Sequence, residues 1–174
     1  MKDTHHHSSQ TRDHLAGEHR LGDTGQIILA FVFAAVWIAD AFIFKHTTFL
    51  NLYVPLAIRT PLAAIFLLLS GYLARNGLSI VFHEVRNGPE VIRKGVFGLV
   101  RHPIYLSEIL LYLGFLMLSL SLAAILVWLL AIGFLHYISR HEERLLLARF
   151  DTEYQQYMQE VPMWIPRLRR KRKK

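Results

Sequence analysis

The 174-residue chain contains no cysteine, which excludes disulfide staples, thiolate nucleophiles and Cys-ligated zinc. Its first 25 residues also lack the apolar run and small-residue cleavage site of a secretory signal; they are polar and rich in histidine. Acidic residues are few, 13 against 20 basic ones, for a formal net charge of +7. Such an excess would suggest nucleic acid in a soluble protein. Here no nucleic-acid partner is expected, because seven of the basic residues crowd into the last eight positions, RLRRKRKK.

What the chain has is apolar residue in blocks. It is 53% hydrophobic, with mean hydropathy +0.29, the profile of a small all-α polytopic membrane protein. A hydrocarbon core of ~30 Å needs ~20 helical residues, and four segments approach or meet that length: Gln26 to Phe44, Tyr53 to Ala74, Pro103 to about Leu118, and Ser121 to Ile138. Residues 1–25 read as a disordered tail, 26–166 as one membrane domain and 167–174 as a basic tail. The five basic residues between Arg75 and Arg101, and the ten after Ser139, contrast with Lys45 alone in the first loop. That asymmetry puts both termini in the cytoplasm, as in a prokaryotic inner membrane, with the basic tail against anionic lipid.

Two further helices are expected outside the spans. Leu78, Val81, Phe82 and Val85 form one apolar stripe, predicting a short interfacial helix ended by Asn87-Gly88-Pro89. Leu146, Phe150, Tyr154, Tyr157 and Val161 repeat at helical spacing and predict a cytoplasmic helix stopped by Pro162.

The polar residues inside apolar sequence carry the chemistry, since a charge near mid-bilayer costs roughly 2.5 to 3.5 kcal/mol even on the lenient insertion scale. Pro103 suits a first helical position, which makes His102 the cap, and the helix start beside Arg101 can take a carboxylate or phosphate. Tyr105, Glu108 and Tyr112 share a face at i, i+3 and i+7, and the same spacing extends a polar strip back to Arg101. Glu108 can instead fasten helices through Arg59 or a tyrosine hydroxyl. Asp40 and Arg59 are expected to pair inside the membrane. Glu142 and Glu143 stand where the fourth span ends, with no metal site expected among these groups. A ligand using an anion site, an acidic pair and aromatics together is zwitterionic or multiply charged with an apolar ring; S-adenosyl-L-methionine is one such compound, and its sulfonium also suits aromatic faces.

At this point the stretches KGVFGLVRHPIYLSEIL and HEERLLLARFDTEYQQYMQEVPMWIP resemble the isoprenylcysteine carboxyl methyltransferase and phospholipid methyltransferase superfamily of membrane enzymes. The matching residues are Gly95, Arg101-His102-Pro103 with Tyr105, Glu142-Glu143 with Leu146, Tyr154 and Tyr157, and Val161-Pro162 with Ile165-Pro166. The resemblance implies a cytoplasmic S-adenosyl-L-methionine site closed by the C-terminal helix, with S-adenosyl-L-homocysteine as product. It implies that His102, Tyr105, Glu142, Glu143 and Tyr154 contact the cofactor and that Arg101 positions acceptor or cofactor. Ser107 stands where the family often has glycine, and Met163 where it often has a basic residue.

The acceptor is expected to be a small lipophilic compound such as a prenylcysteine-like carboxylate. An ionised carboxylate needs alignment and exclusion of water rather than a base. A phospholipid amine would have to lose a proton, which makes Glu108 or Glu143 a candidate base. A non-catalytic bundle that merely keeps the polar pairs is the reading from another class.

Overall fold

The computed structural model describes residues 20–83 and 90–166. The expected His-rich tail, the Asn87-Gly88-Pro89 stop and the basic C-terminal tail therefore lie outside the described residues. Within them the chain is all-helical. Helix α1 (Arg20–Ile38) continues as a π-helical turn over Ala39–Phe44, and α2 covers Leu56–His83, α3 Pro103–Ser119 and α4 Leu122–Glu160. Short 3-10 turns occupy Phe49–Leu52 and Gly95–Gly98.

Three segments, Thr24–Phe44, Leu56–Phe82 and Leu122–Glu160, are long and apolar enough to cross a membrane. The remaining apolar helix, α3, has 17 residues, about 26 Å of helix at 1.5 Å per residue. It runs antiparallel to α2 along its whole length: Gly77 of α2 lies at Pro103 and Ile104, Ser70 Oγ donates to Ser107 O at 2.7 Å, and Arg59 reaches Leu118 O. Gly114 makes the closest approach possible, since a Cβ there would stand 2.7 Å from Leu67 Cδ2 and 3.4 Å from Ala63 O. Such small residues let helix backbones meet where lipid supplies no hydrophobic drive. Ala124 and Ala131 of α4 do the same against Phe33, Tyr112 and Leu116. Elsewhere the helices present large apolar side chains outward, Phe31 and Leu68 among them, as lipid contact requires.

Two expectations about helix ends are corrected. The interfacial helix over Leu78, Val81 and Phe82 is not separate, because α2 runs unbroken from Leu56 to His83. Gly77, which could have broken it, is instead buried against Ile104, and Asn76 Nδ2 donates to Tyr72 O four residues back. Nor does the helix of the expected fourth span end near Ile138 and start afresh. The residues SRHEERLLLARF contain no breaker, so α4 continues and turns only at Asp151, where φ is 42° and ψ is −117°. An L-residue in that region carries strain that glycine avoids. Asp151 is exposed, so Asp151→Gly is expected to stabilise the protein by about 1 kcal/mol, read as a raised melting temperature in detergent.

Like α2 and α3, α1 and α4 run antiparallel, with Gly22 beside Ile138 at one end and Asp40 beside Ser121 at the other. The start of α1, the end of α2, the start of α3 and the Glu142 region of α4 gather at one end of the bundle, where Gly22 lies beside Ile138 and the Tyr105 hydroxyl. The opposite end joins Asp40, Thr47 and Ser121. Among the described residues, a polar cluster thus stands at each end of the bundle.

Candidate active site

At the first end, Pro103 opens α3 at its first helical position with His102 as the residue before it. His102 caps by position only. Its side chain makes no capping hydrogen bond and turns to α4, placing Nε2 3.3 Å from Glu143 Oε1 and Nδ1 3.5 Å from Glu142 Oε2. The imidazole also stacks on Tyr105, with ring centroids 5.6 Å apart and planes 6° apart. Tyr105 in turn donates its hydroxyl to Glu142 Oε1. Residues 101–105 and 142–143 are thus joined through short polar contacts across about 40 positions of sequence.

Arg101 sits just outside α3, in non-helical backbone, so the seven-residue spacing to Glu108 does not place the two on one face. Its guanidinium is turned to α4 and the C-terminal VPMWIP segment. Nε and Nη2 both lie 2.7 Å from Glu143 Oε1, and Nη1 donates to Met158 O at 3.0 Å and to Val161 O. The backbone adds Arg101 N to Pro162 O at 2.9 Å and His102 N to Met163 O at 3.3 Å. A charged, planar group with several fixed donors is suited to such a junction. Through it the VPMWIP segment is strapped across the start of α3.

Glu143 is 2% exposed, and its Oε1 takes Arg101 and His102 while Oε2 has no hydrogen-bond partner. Arg140 Nη1 stands 3.6 Å from Oε2, on a largely exposed side chain. Burial alone would lower the His102 pKa, but the hydrogen bonds and negative charge of Glu142 and Glu143 win and raise it above its ordinary 6.5. The folded state therefore holds the proton more tightly than the unfolded chain. That contribution to stability is complete below pH 6.5 and is lost as the pH rises through the raised folded value. Thermal melts above neutral pH are expected to show a falling melting temperature in the native protein, and a flatter profile in His102→Gln.

Glu108 lies one turn inward from Tyr105, half-buried, and accepts from the Tyr112 hydroxyl of its own helix. Tyr112 stacks on Phe33 at 4.2 Å. Tyr154 is buried with Tyr157 and Val161 in a separate cluster, its ring 5.6 Å from that of Tyr157, and Tyr157 donates to Phe97 O at 2.7 Å. The structure so brings His102, Tyr105, Glu142, Glu143 and Arg101 together, while Glu108 and Tyr154 stand to either side. The expected Asp40–Arg59 pair does not form. Asp40 accepts from Thr47 and Ser121 instead, and Arg59 donates to Asn51 Oδ1 and Leu118 O. Helix spacing put both residues near one membrane face but could not register them against each other.

One member of the cluster has no signal in the spacing of charged residues. Trp164, between Pro162 and Pro166, packs against Tyr105, Ile109, Leu135 and Ile138, meets His136 edge-on, and buries an indole N–H without a partner. Only the two flanking prolines, which hold the segment extended, distinguish it in the sequence from an ordinary interfacial tryptophan.

Comparison with known proteins places this geometry in context. The family described as PEMT, phospholipid methyltransferase, matches residues 62–153, from α2 through the acidic pair into the last turns of α4. The cobalt-zinc-cadmium resistance protein CzcN of Cupriavidus metallidurans is 26% identical over 162 residues, covering 92% of this chain and 69% of that protein. No solved structure matches.

Proposed function

This chain belongs to the phospholipid methyltransferase family, and from that premise we propose that it transfers a methyl group from S-adenosyl-L-methionine to a small lipophilic acceptor at the cytoplasmic membrane interface. The family is one of membrane methyltransferases; the cofactor, the acceptor and the residue roles are our reading. The observation that carries it is the state of Glu143, a buried carboxylate with one oxygen saturated by Arg101 and His102 and the other without a hydrogen-bond partner. A buried acceptor left open is costly unless a ligand or water completes it.

The donor set fits a zwitterionic ligand. Glu143 Oε2 is an open acceptor for an ammonium or a ribose hydroxyl, Trp164 Nε1 an open donor for a carboxylate, and the His102–Tyr105 stack offers an aromatic surface. His102, Tyr105, Glu142 and Glu143 would hold the cofactor, with Tyr154 in the helix that closes behind them. When bound, the cofactor supplies an electrophilic methyl on a sulfonium and leaves as S-adenosyl-L-homocysteine. The chain's own contribution is orientation and exclusion of water. Arg101 fixes Glu143 and straps the VPMWIP segment over the site, and a carboxylate acceptor, already ionised, requires nothing more than alignment.

A second reading is favoured by Glu108. Its carboxylate is half-buried on α3, one turn inward of the cluster, with the Tyr112 hydroxyl on one oxygen. That is where a base would serve an amine-bearing phospholipid, which must shed a proton to become a nucleophile. Loss of turnover on an amine acceptor in Glu108→Gln, with cofactor affinity unchanged, would select it.

Calorimetric titration of the detergent-purified protein with S-adenosyl-L-homocysteine tests the main reading. Saturable binding that disappears in a folded His102→Ala, Glu142→Ala double variant is the expected result. A well-folded, relipidated native protein that binds nothing would overturn it.

A further inference from the structure

The second polar cluster, at the end of the bundle away from His102, contains a charge that the protein does not balance. Arg59 lies in the first turns of α2 and is 8% exposed. Its Nη1 donates to Asn51 Oδ1 and to Leu118 O at 2.7 Å, both neutral acceptors, and its Nε is buried with no partner. No carboxylate among the described residues forms an ion pair with it. Asp40, the acidic residue of that end, is fully engaged by Thr47 and Ser121, with Thr47 N at 3.1 Å from Oδ1. A buried guanidinium with neutral partners alone is a strongly anion-seeking group.

The surroundings state which kind of anion. Beside Arg59 the chain exposes Phe49, Leu52, Tyr53 and Leu56, apolar and aromatic side chains at the membrane–water boundary, where aromatic residues settle at headgroup level. An anion reaching Arg59 over that rim has acyl chains to lay on it. We propose that Arg59 holds the phosphate of a membrane phospholipid, a structural lipid site at the end of the bundle opposite the candidate active site. The site does not depend on the methyl-transfer reading. The lipid phosphate supplies the missing counter-charge, while Asn51 and Leu118 hold Nη1 of the guanidinium in place.

The test is native mass spectrometry of the detergent-solubilised protein titrated with phosphatidylglycerol, which has no amine to methylate, with diacylglycerol of the same chains and inorganic phosphate as parallel arms. One tightly retained phosphatidylglycerol per chain is expected, with diacylglycerol at least tenfold weaker. Arg59→Gln should lose it, whereas substituting the basic residues at 167–174 with glutamine should not, which separates the site from tail electrostatics. Because Arg59→Gln removes the tie to Leu118 and can fail to fold, Asn51→Asp is the companion variant. It is isosteric and places a carboxylate on Nη1, so it should keep the fold and weaken lipid retention at least tenfold. Undiminished retention in Asn51→Asp or in folded Arg59→Gln, or equal retention of diacylglycerol, would overturn the proposal. Inorganic phosphate competing at equal concentration would also overturn it, in favour of a soluble anion.

Discussion

Arg101→Ala is expected to destabilise the protein by about 3 to 5 kcal/mol, the range for removing one partner of a buried ion pair. The reason is the number of groups it leaves behind. Glu143, 2% exposed, would lose both charge-assisted contacts at 2.7 Å, and the carbonyls of Met158 and Val161 would lose their donor. Two backbone hydrogen bonds, from Arg101 and His102 to Pro162 and Met163, would remain to hold the VPMWIP segment. The first consequence is therefore local: limited proteolysis should cut the 158–166 segment before the bundle melts. Arg101→Lys should recover only part of the loss, because a point ammonium cannot reach the carboxylate and two carbonyls with a fixed fork. A melting temperature within a degree or two of the native value would show that the strap is not what Arg101 provides.

Glu143→Gln carries the second large effect. The substitution keeps the shape and removes the charge, so Arg101 and the His102 imidazole are left facing a neutral amide. If Oε2 is the acceptor for the ligand's donors, an amide there offers half the accepting capacity. S-adenosyl-L-homocysteine affinity is then expected to fall at least tenfold, about 1.4 kcal/mol. Glu142→Gln should cost less, because Glu142 already spends its oxygens on Tyr105 and His102. Calorimetry on both variants, with circular dichroism to establish that each is folded, separates the roles. Equal affinities in native protein and Glu143→Gln would remove Glu143 from the site and leave it as the anchor of Arg101 alone.

The degree to which these contacts could be read beforehand differs from residue to residue. His102, Pro103 and Tyr105 were legible because a proline at the start of an apolar run fixes where a helix begins, and the acidic pair because two adjacent carboxylates end a span. Their place at one common interface followed from the ends of the spans, and their joint contact with a cofactor from the family resemblance. Asp40 and Arg59 show the limit: both were correctly sensed as buried polar groups near one end, and both found other partners. Trp164 was marked by its flanking prolines alone, since tryptophan is common at membrane interfaces. The interfacial helix failed for a different reason. An apolar stripe over Leu78, Val81 and Phe82 specifies a helical period but not whether the helix is new or the continuation of α2.

By itself the sequence determined the all-helical class, the apolar lengths, the charge asymmetry along the chain and the identity of the ionisable groups that apolar surroundings must satisfy. These follow from period, length and composition, which are local properties. Only the tertiary structure decided that Glu143 keeps one oxygen open, that Arg101 straps the C-terminal segment and that Arg59 lacks a counter-charge. Each depends on which groups meet across 40 to 60 residues of chain, and that is set by helix register and by close approaches such as Gly114 against Leu67. A shift of one residue in that register would leave every helical pattern intact and change every partner, because neighbouring positions on a helix point about 100° apart.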